Sequence, residues 1–290
     1  MAAHRNHIDR IILFVVLFLM VASTVVVYSA SSTWALQKYG ATSGMVNKHI
    51  LKVLVGLAAI FVAMSIDYRY YKKLTKIALA ACLVLLFFTL AVGGEVKGAA
   101  RWLSVGGFSL QPSEAAKFAL IFHLSALLAA KGAKLNDFKT GFMPLILWIG
   151  GVVLLVMLQP NFSTGAMIFV LGMVMVFVGG ARLKHIVLSM SALIPAALVY
   201  LVSAEYRMRR ILSFIGHGDS AATPSKANYQ LWQGIIGFGN GGLFGVGMGA
   251  SKQRDLFLPE SYGDFVFSIV GEEYGFIGTI IFMALFLTIL

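Results

Sequence analysis

The sequence predicts an all-α integral membrane protein in which about eight transmembrane helices are visible, with a large extracytoplasmic loop region. Three observations carry this prediction. Hydrophobic residues make up 59% of the 290 residues and charged residues only 12%, against roughly 25% charged in a soluble domain. Mean hydropathy is +0.86. Apolar runs close to the ~20 residues needed to cross a bilayer recur along the chain, as they must where no water is present to pair backbone N–H and C=O groups.

The runs place spans at 11–29, 49–66, 77–92, 113–130, 143–158, 162–180, 185–203 and 265–290. His4, Arg5, His7 and Arg10 precede the first run. That run is longer than a secretory h-region and is followed by further apolar runs, so it reads as a span rather than a cleaved leader. Cys82, the single cysteine, falls in the third span, which leaves no disulfide framework and no cysteine metal site.

The net charge of +11 does not indicate nucleic acid, because the basic residues cluster between spans. Arg69, Lys72, Lys73 and Lys76 form one cluster, Lys131, Lys134 and Lys139 a second, and Arg182 with Lys184 a third. All follow even-numbered spans, and with Arg5 and Arg10 they mark one side as cytoplasmic. The short loops opposite hold only Lys38, Lys48, Lys97 and Arg101. The N-terminus is then cytoplasmic, and 93–112 and 204–264 lie outside. The second outer region holds Arg207, Arg209, Arg210, Lys226, Lys252 and Arg254, and loops of about 60 residues escape the charge rule. With no repeat and no linker, residues 1–290 read as one polytopic membrane domain. Hydrophobic chain continues to Leu290, which reads as a protein truncated at its C-terminus.

Three constellations could carry chemistry. In Arg101-Trp102-Leu103 through Gln111-Pro112-Ser113-Glu114-Ala115-Ala116-Lys117, Pro112, Ser113 and Glu114 suit a helix start. Lys117 does not reduce to capping. It shares a helical face with Glu114, and an ionisable residue inside a span is costly. The pair is either structural, lining a water-filled cleft, or part of a site for an anionic ligand.

The glycine-rich stretch Gly237 to Gly242, with Gly245, Gly247 and Gly249, formally matches a dinucleotide fingerprint. It lacks the strand, helix and βαβ context that motif requires. A tight re-entrant or interfacial turn with closely packed backbones fits better, with a phosphate-binding backbone nest as the alternative.

In Leu258-Pro259-Glu260-Ser261-Tyr262-Gly263-Asp264, Asp264 precedes a span. Burial at the membrane edge would raise its pKa toward that of a catalytic base, whereas a solvated helix cap is the plain alternative. Glu272 and Glu273 lie about 12 Å further along if the helix continues, pointing in different directions. His123 and His185 stand without a second metal ligand at suitable spacing and are expected to be structural.

Taken in order, these motifs resemble the SEDS family of peptidoglycan glycosyltransferases, which includes RodA, FtsW and SpoVE. The resemblance is carried by Gly98 to Lys117, Gln159 to Ala166, Tyr229-Gln230, Gly237 to Gln253 and Leu258 to Gly275, and leans toward FtsW and SpoVE. It implies an inverting hexosyltransferase at the outer face of the bacterial cytoplasmic membrane. The reaction is polymerisation of lipid II into glycan strands, for cell division or elongation, with undecaprenyl pyrophosphate as leaving group. By the resemblance Asp264 is the catalytic residue, and Arg101, Trp102, Glu114, Lys117, Lys252, Gln253, Arg254 and Glu260 bind substrate. Asn161 departs from the aspartate many members carry after Gln-Pro, and Gly263 from the threonine usual before the essential aspartate. The family fold has ten helices. No obligate cofactor is implied, and there is room for a divalent cation, Mg or Mn. Implied partners are lipid II, a class B penicillin-binding protein (a transpeptidase), divisome or elongasome proteins and membrane lipid, with no nucleic acid. A lipid II flippase and a scaffold for the penicillin-binding protein are the competing readings.

Overall fold

The computed structural model describes residues 9–92, 94–96, 99–105, 108–159, 161–202, 208 and 226–290. Arg207, Arg209 and Arg210 of the second outer region, like Lys97 and Pro160, lie outside the described residues. Backbone packing divides the chain into two compact units, Met1–Ser65 with Val202–Leu290 and Ile66–Leu201.

The first unit opens with α1 (Arg10–Tyr39). Asp9 caps it, Oδ1 accepting from the N–H groups of Ile11 and Ile12 at 2.9 and 3.2 Å. Gly40, at φ 70°, ends it by donating its N–H to the Leu36 carbonyl. A left-handed residue at that point is the ordinary way to close a helix. Helix α2 (Gly44–Ser65) follows. Helix α1 runs well past the end of the predicted span 11–29, and α2 begins five residues before the predicted span 49–66. Apolar length sets what crosses a membrane, but α1 itself continues until Gly40 caps it.

In the second unit, α3 (Tyr68–Val92) begins well before the apolar run at 77, so that Arg69, Lys72, Lys73 and Lys76 lie on its first turns. Then come β1 (Gly94–Val96), β2 (Ala99–Val105) and β3 (Phe108–Leu110), an antiparallel sheet in the order β1-β2-β3. Leu103 pairs with Leu110 and Val105 with Phe108. This small sheet is a minor addition to a mostly helical chain. The described strand residues pair their backbone groups between strands instead of within a helix.

Helix α4 (Pro112–Lys131) places Pro112 at its start, Glu114 in its first turn and Lys131 in its last, each matched to the helix dipole or to the unpaired first N–H groups. Helices α5 (Met143–Leu158), α6 (Phe162–Val178) and α7 (Leu183–Val202) follow. The core joins Leu79 and Leu86 of α3, Leu120 and Leu124 of α4, Leu145, Ile149 and Val152 of α5, and Ile168 and Val176 of α6. His123 lies in this unit with Nδ1 3.3 Å from the Thr75 hydroxyl and its ring edge-on to Trp148. His185 packs against Phe138 and Phe142. Both histidines have structural surroundings.

The chain returns to the first unit as α8 (Lys226–Gly241) and α9 (Val266–Ile289). Helix α8 corrects the expectation of a loop throughout 204–264: Tyr229 to Gly241 is uncharged and follows helical periodicity, and its glycines bring it against α9. Each predicted span coincides with a helix. Among the described residues, α1, α2, α3, α4, α9 and the stretch Phe138–Leu158 are the six helices long and apolar enough to cross a membrane, and Phe162–Val178 is a shorter apolar helix. Mostly helical and studded with such segments, the chain is a multi-pass membrane protein.

Candidate functional site

Helix α9 is interrupted at Gly275, whose φ 67° and ψ −166° are not helical. Here the glycine-rich turn after α8 docks. The Phe276 N–H donates to the Gly242 carbonyl at 2.9 Å and the Ile277 N–H to the Leu243 carbonyl at 3.2 Å. In return the N–H groups of Val246 and Gly247 donate to the carbonyls of Glu272 and Glu273 at 3.0 and 3.1 Å. A Cβ at Gly245 would stand 2.2 Å from the Glu273 carbonyl oxygen, and one at Gly275 would stand 2.3 Å from the Gly245 nitrogen. The motif that imitates a dinucleotide fingerprint is thus a close-packed backbone joint.

This joint buries two carboxylates that the motif order alone does not group with the site. Glu272 is 1% exposed and Glu273 2%. Glu272 accepts from Asn240 Nδ2 and from the Gln253 N–H, both at 3.2 Å, and from the Ser251 hydroxyl. Glu273 points the other way, to α1, where the Ser29 hydroxyl donates to Oε1 at 2.5 Å. Buried carboxylates demand such donors, because an unpaired one costs several kcal/mol. The sequence signal was present: ionisable residues inside a span and the polar run Ser29, Ser31, Ser32, Thr33 on an otherwise apolar helix.

From this joint the chain runs through one π-helical turn, Gln253–Phe257, to Asp264. Arg254 turns inward. Its NH1 group lies 3.4 Å from the Ser29 carbonyl and 3.3 Å from the Ser32 hydroxyl, and Nε is 3.6 Å from Asp255. Asp255 in turn accepts from the Thr33 hydroxyl at 2.7 Å. Gln253 is buried with its Oε1 unpaired. Lys252 is exposed. Glu260 stands at φ 58°, a conformation that costs a non-glycine residue energy and shapes the turn. Its carbonyl accepts from the Gly263 N–H at 2.9 Å. Ser261 donates to the Ala30 carbonyl at 3.1 Å, and Tyr262 packs on Trp34 with ring centroids 4.9 Å apart. Asp264 itself is exposed, two residues before α9. The burial expected of it is absent: Ser261 and Tyr262 take the inward positions of this turn.

The second unit gathers the other predicted residues. Arg101 and Trp102 lie on β2, Trp102 paired with Gly94 and exposed. At the start of α4, Lys117 Nζ is 2.6 Å from Glu114 Oε2. The Lys117 side chain is 15% exposed and that of Glu114 45%, so the predicted pair forms, with Lys117 as its less exposed partner. Asn161 is buried with Nδ2 unpaired. A cavity of about 340 Å³ lined by Ser125, Leu128, Val174, Met175, Val178 and Gly179 contains none of the predicted residues. Among the described residues no three His, Cys, Asp or Glu side chains gather to hold a metal ion.

Comparison with known proteins adds the following. The family described as "Cell cycle protein", which unites FtsW, RodA and SpoVE, matches residues 9–290. The probable peptidoglycan glycosyltransferase FtsW of Geobacter metallireducens is 36% identical over 281 residues, covering 96% of this chain and 74% of that protein. Stage V sporulation protein E of Bacillus subtilis is 34% identical over 292 residues, covering 100% of this chain and 79% of its own length. In fold, the chain matches one from a peptidoglycan synthase complex that coordinates polymerization and crosslinking, with TM-score 0.74 and 22% identity over 98% of this chain and 76% of that one. Rod shape determining protein RodA of Thermus thermophilus matches with TM-score 0.62 and 22% identity over 98% and 73%.

Proposed function

This chain belongs to the cell cycle protein family of FtsW, RodA and SpoVE, and from that premise we propose that it is a peptidoglycan glycosyltransferase polymerising lipid II at the outer face of the cytoplasmic membrane. The observation that carries the reading is the placement of Asp264: an exposed carboxylate at the start of a membrane span, on a turn tied to α1 through Ser261 and Tyr262. A carboxylate so held can accept a proton at the membrane surface, where the head group of a lipid-linked sugar lies.

In the proposed reaction Asp264 takes the proton from the 4-hydroxyl of the incoming disaccharide. That oxygen then forms a bond to the anomeric carbon of the growing glycan as the bond to undecaprenyl pyrophosphate breaks, with inversion. A positioned base raises the nucleophilicity of a poor sugar hydroxyl, and cations stabilise the charge that develops on the leaving oxygen. The exposed Lys252 suits that second role. Arg254 serves instead to hold the turn, since its guanidinium is engaged with α1.

The basic clusters at Arg69 to Lys76, Lys131 to Lys139 and Arg182 with Lys184 support a cytoplasmic N-terminus and an outward Asp264. A class B penicillin-binding protein, with its divisome or elongasome partners, is the proposed companion for crosslinking. The test is polymerisation of labelled lipid II by the purified full-length protein carrying Asp264→Asn. Loss of glycan product is expected, and undiminished polymer in a preparation free of other polymerases would overturn the assignment.

A further inference from the structure

We propose that the segment from Leu231 to Met248 is a re-entrant element embedded in the membrane, its outward face covered by acyl chains of the bilayer. The inference reaches beyond the glycosyltransferase reading and does not depend on it.

Helix α8 has two unlike faces. Gly234, Gly237 and Gly241 form the inner one and lie directly on α9: a Cβ at Gly241 would meet the Gly271 carbonyl oxygen at 2.0 Å, and one at Gly234 the Ser268 hydroxyl at 3.0 Å. Leu231, Trp232, Ile235 and Ile236 form the outer one and are exposed. Their i, i+1, i+4, i+5 spacing makes a continuous apolar stripe. The turn that follows is equally apolar and more open, with Leu243, Val246 and Met248 exposed and Phe244 81% exposed.

The hydrogen bonds of the joint set the level of this turn. Gly242 and Leu243 accept from Phe276 and Ile277, and there begins the exposed apolar side of α9, continuing through Ile280, Ile281 and Met283. Helix α9 is long and apolar enough to span a membrane, and this exposed apolar side is the surface that the proposal places against lipid. The exposed side chains of the turn extend the same surface.

Irregular backbone survives at membrane depth only when its polar groups are paired. Here they are. Gly245 donates to Gly241 at 2.8 Å, Val246 and Gly247 to Glu272 and Glu273, and Ala250 to Gly247 at 3.1 Å. Charge obeys the same limit: no Asp, Glu, Lys or Arg occurs between Lys226 and Lys252. A water-facing turn carries polar residues, whereas a contiguous apolar patch of this kind marks contact with a membrane or a partner.

The test uses the protein in phospholipid vesicles, with Cys82→Ala and a nitroxide attached at Phe244→Cys, Val246→Cys or, as the aqueous control, Lys252→Cys. At 244 and 246, collisions with oxygen, which concentrates in lipid, should exceed those with a water-soluble nickel chelate several-fold, and the ratio should invert at 252. Chelate accessibility at 244 equal to that at 252 would show a water-exposed loop. Low accessibility to both reagents would show protein covering the face, whether another segment or a second copy; either result overturns the proposal. If the cysteine variants fail to fold, Trp232 serves as probe after Trp34, Trp102 and Trp148 are changed to Phe. Quenching by phospholipids brominated on their acyl chains is then expected, and unchanged emission contradicts lipid contact.

Discussion

Ser29 and Glu273, 244 positions apart in the chain, are joined by a 2.5 Å hydrogen bond from the serine hydroxyl to Oε1, with both residues buried. The bond fastens α9 to α1 beside the backbone joint at Gly275. Removing the hydroxyl leaves a buried acceptor without its donor, at roughly 1–3 kcal/mol. Ser29→Ala should therefore lower resistance to unfolding in mixed micelles, and a double-mutant cycle with Glu273→Gln should show coupling of similar size. Additive losses would mean that the two side chains do not depend on each other.

The catalytic proposal predicts a contrast between two nearby carboxylates. Asp264→Asn should reduce lipid II polymerisation by at least about 10²-fold, the lower end of what a positioned base contributes, without loss of folded protein. Glu260→Gln should lose far less, since Glu260 shapes the turn through its backbone at φ 58°. Gel analysis of the glycan strands measures both. Equal losses would place the two residues in the same role.

At the joint, the glycines differ in what a methyl group would meet. Gly245→Ala and Gly275→Ala force a Cβ to 2.2 and 2.3 Å from backbone atoms and add roughly 1–2 kcal/mol for an alanine in left-handed conformation. Either should strongly lower the yield of folded protein. At Gly239 a Cβ meets nothing within 4 Å, so Gly239→Ala inside α8 should be neutral or should stabilise by up to about 1 kcal/mol. Fluorescence-detected gel filtration after graded heating ranks the three.

The Glu114–Lys117 pair should respond asymmetrically. Lys117 is its less exposed member and Glu114 is nearly half exposed, so Glu114→Gln leaves a partly buried ammonium unpaired, whereas Lys117→Met leaves a carboxylate that reaches solvent. The larger loss should follow Glu114→Gln. It should fall between the ~0–1 kcal/mol of an exposed pair and the ~3–5 kcal/mol of a fully buried one. Unfolding in mixed micelles gives the comparison, and equal losses would show that both charges are solvated.

Asp137, at the entry to the Phe138–Phe142 turn, supplies a pH test. Hydrogen bonds from the Thr140 hydroxyl at 2.5 Å and the Thr140 N–H at 3.2 Å hold its carboxyl below the usual range. A depressed folded-state pKa stabilises the structure at pH values above the unfolded-state pKa of about 3.9 and ceases to do so as pH falls through the folded-state value. Amide exchange at Phe142, whose N–H donates to the Asp137 carbonyl, should accelerate on acidification through that window relative to a reference amide in α5. Asp137→Asn should abolish the difference.

Much of this architecture is legible in the sequence, because membrane helices obey a local rule. A backbone without water must pair within its own segment, so apolar length places the helices without knowledge of their neighbours. The Glu114–Lys117 pair is legible for the same reason, since three-residue spacing on a helix brings side chains together. The end of α1 at Gly40, the strands at 94–110 and helix α8 escape that rule: caps and solvent-side pairing set them, not apolar length.

The candidate site divides along the same line. Asp264 stands out in the sequence by its place before a span, but its exposure is decided by Ser261 and Tyr262 taking the inward positions against α1. Periodicity names no inner face for the stretch Ser268 to Glu273, which is buried on every side. Only packing directs Glu272 to Asn240 and Ser251 and Glu273 to Ser29. The sequence by itself determined the helices, their polar exceptions and the glycines that permit close approach. Tertiary structure decided which exceptions meet, because a buried carboxylate takes its donors from whichever segments packing brings within 3 Å or so, however far apart they lie in the chain.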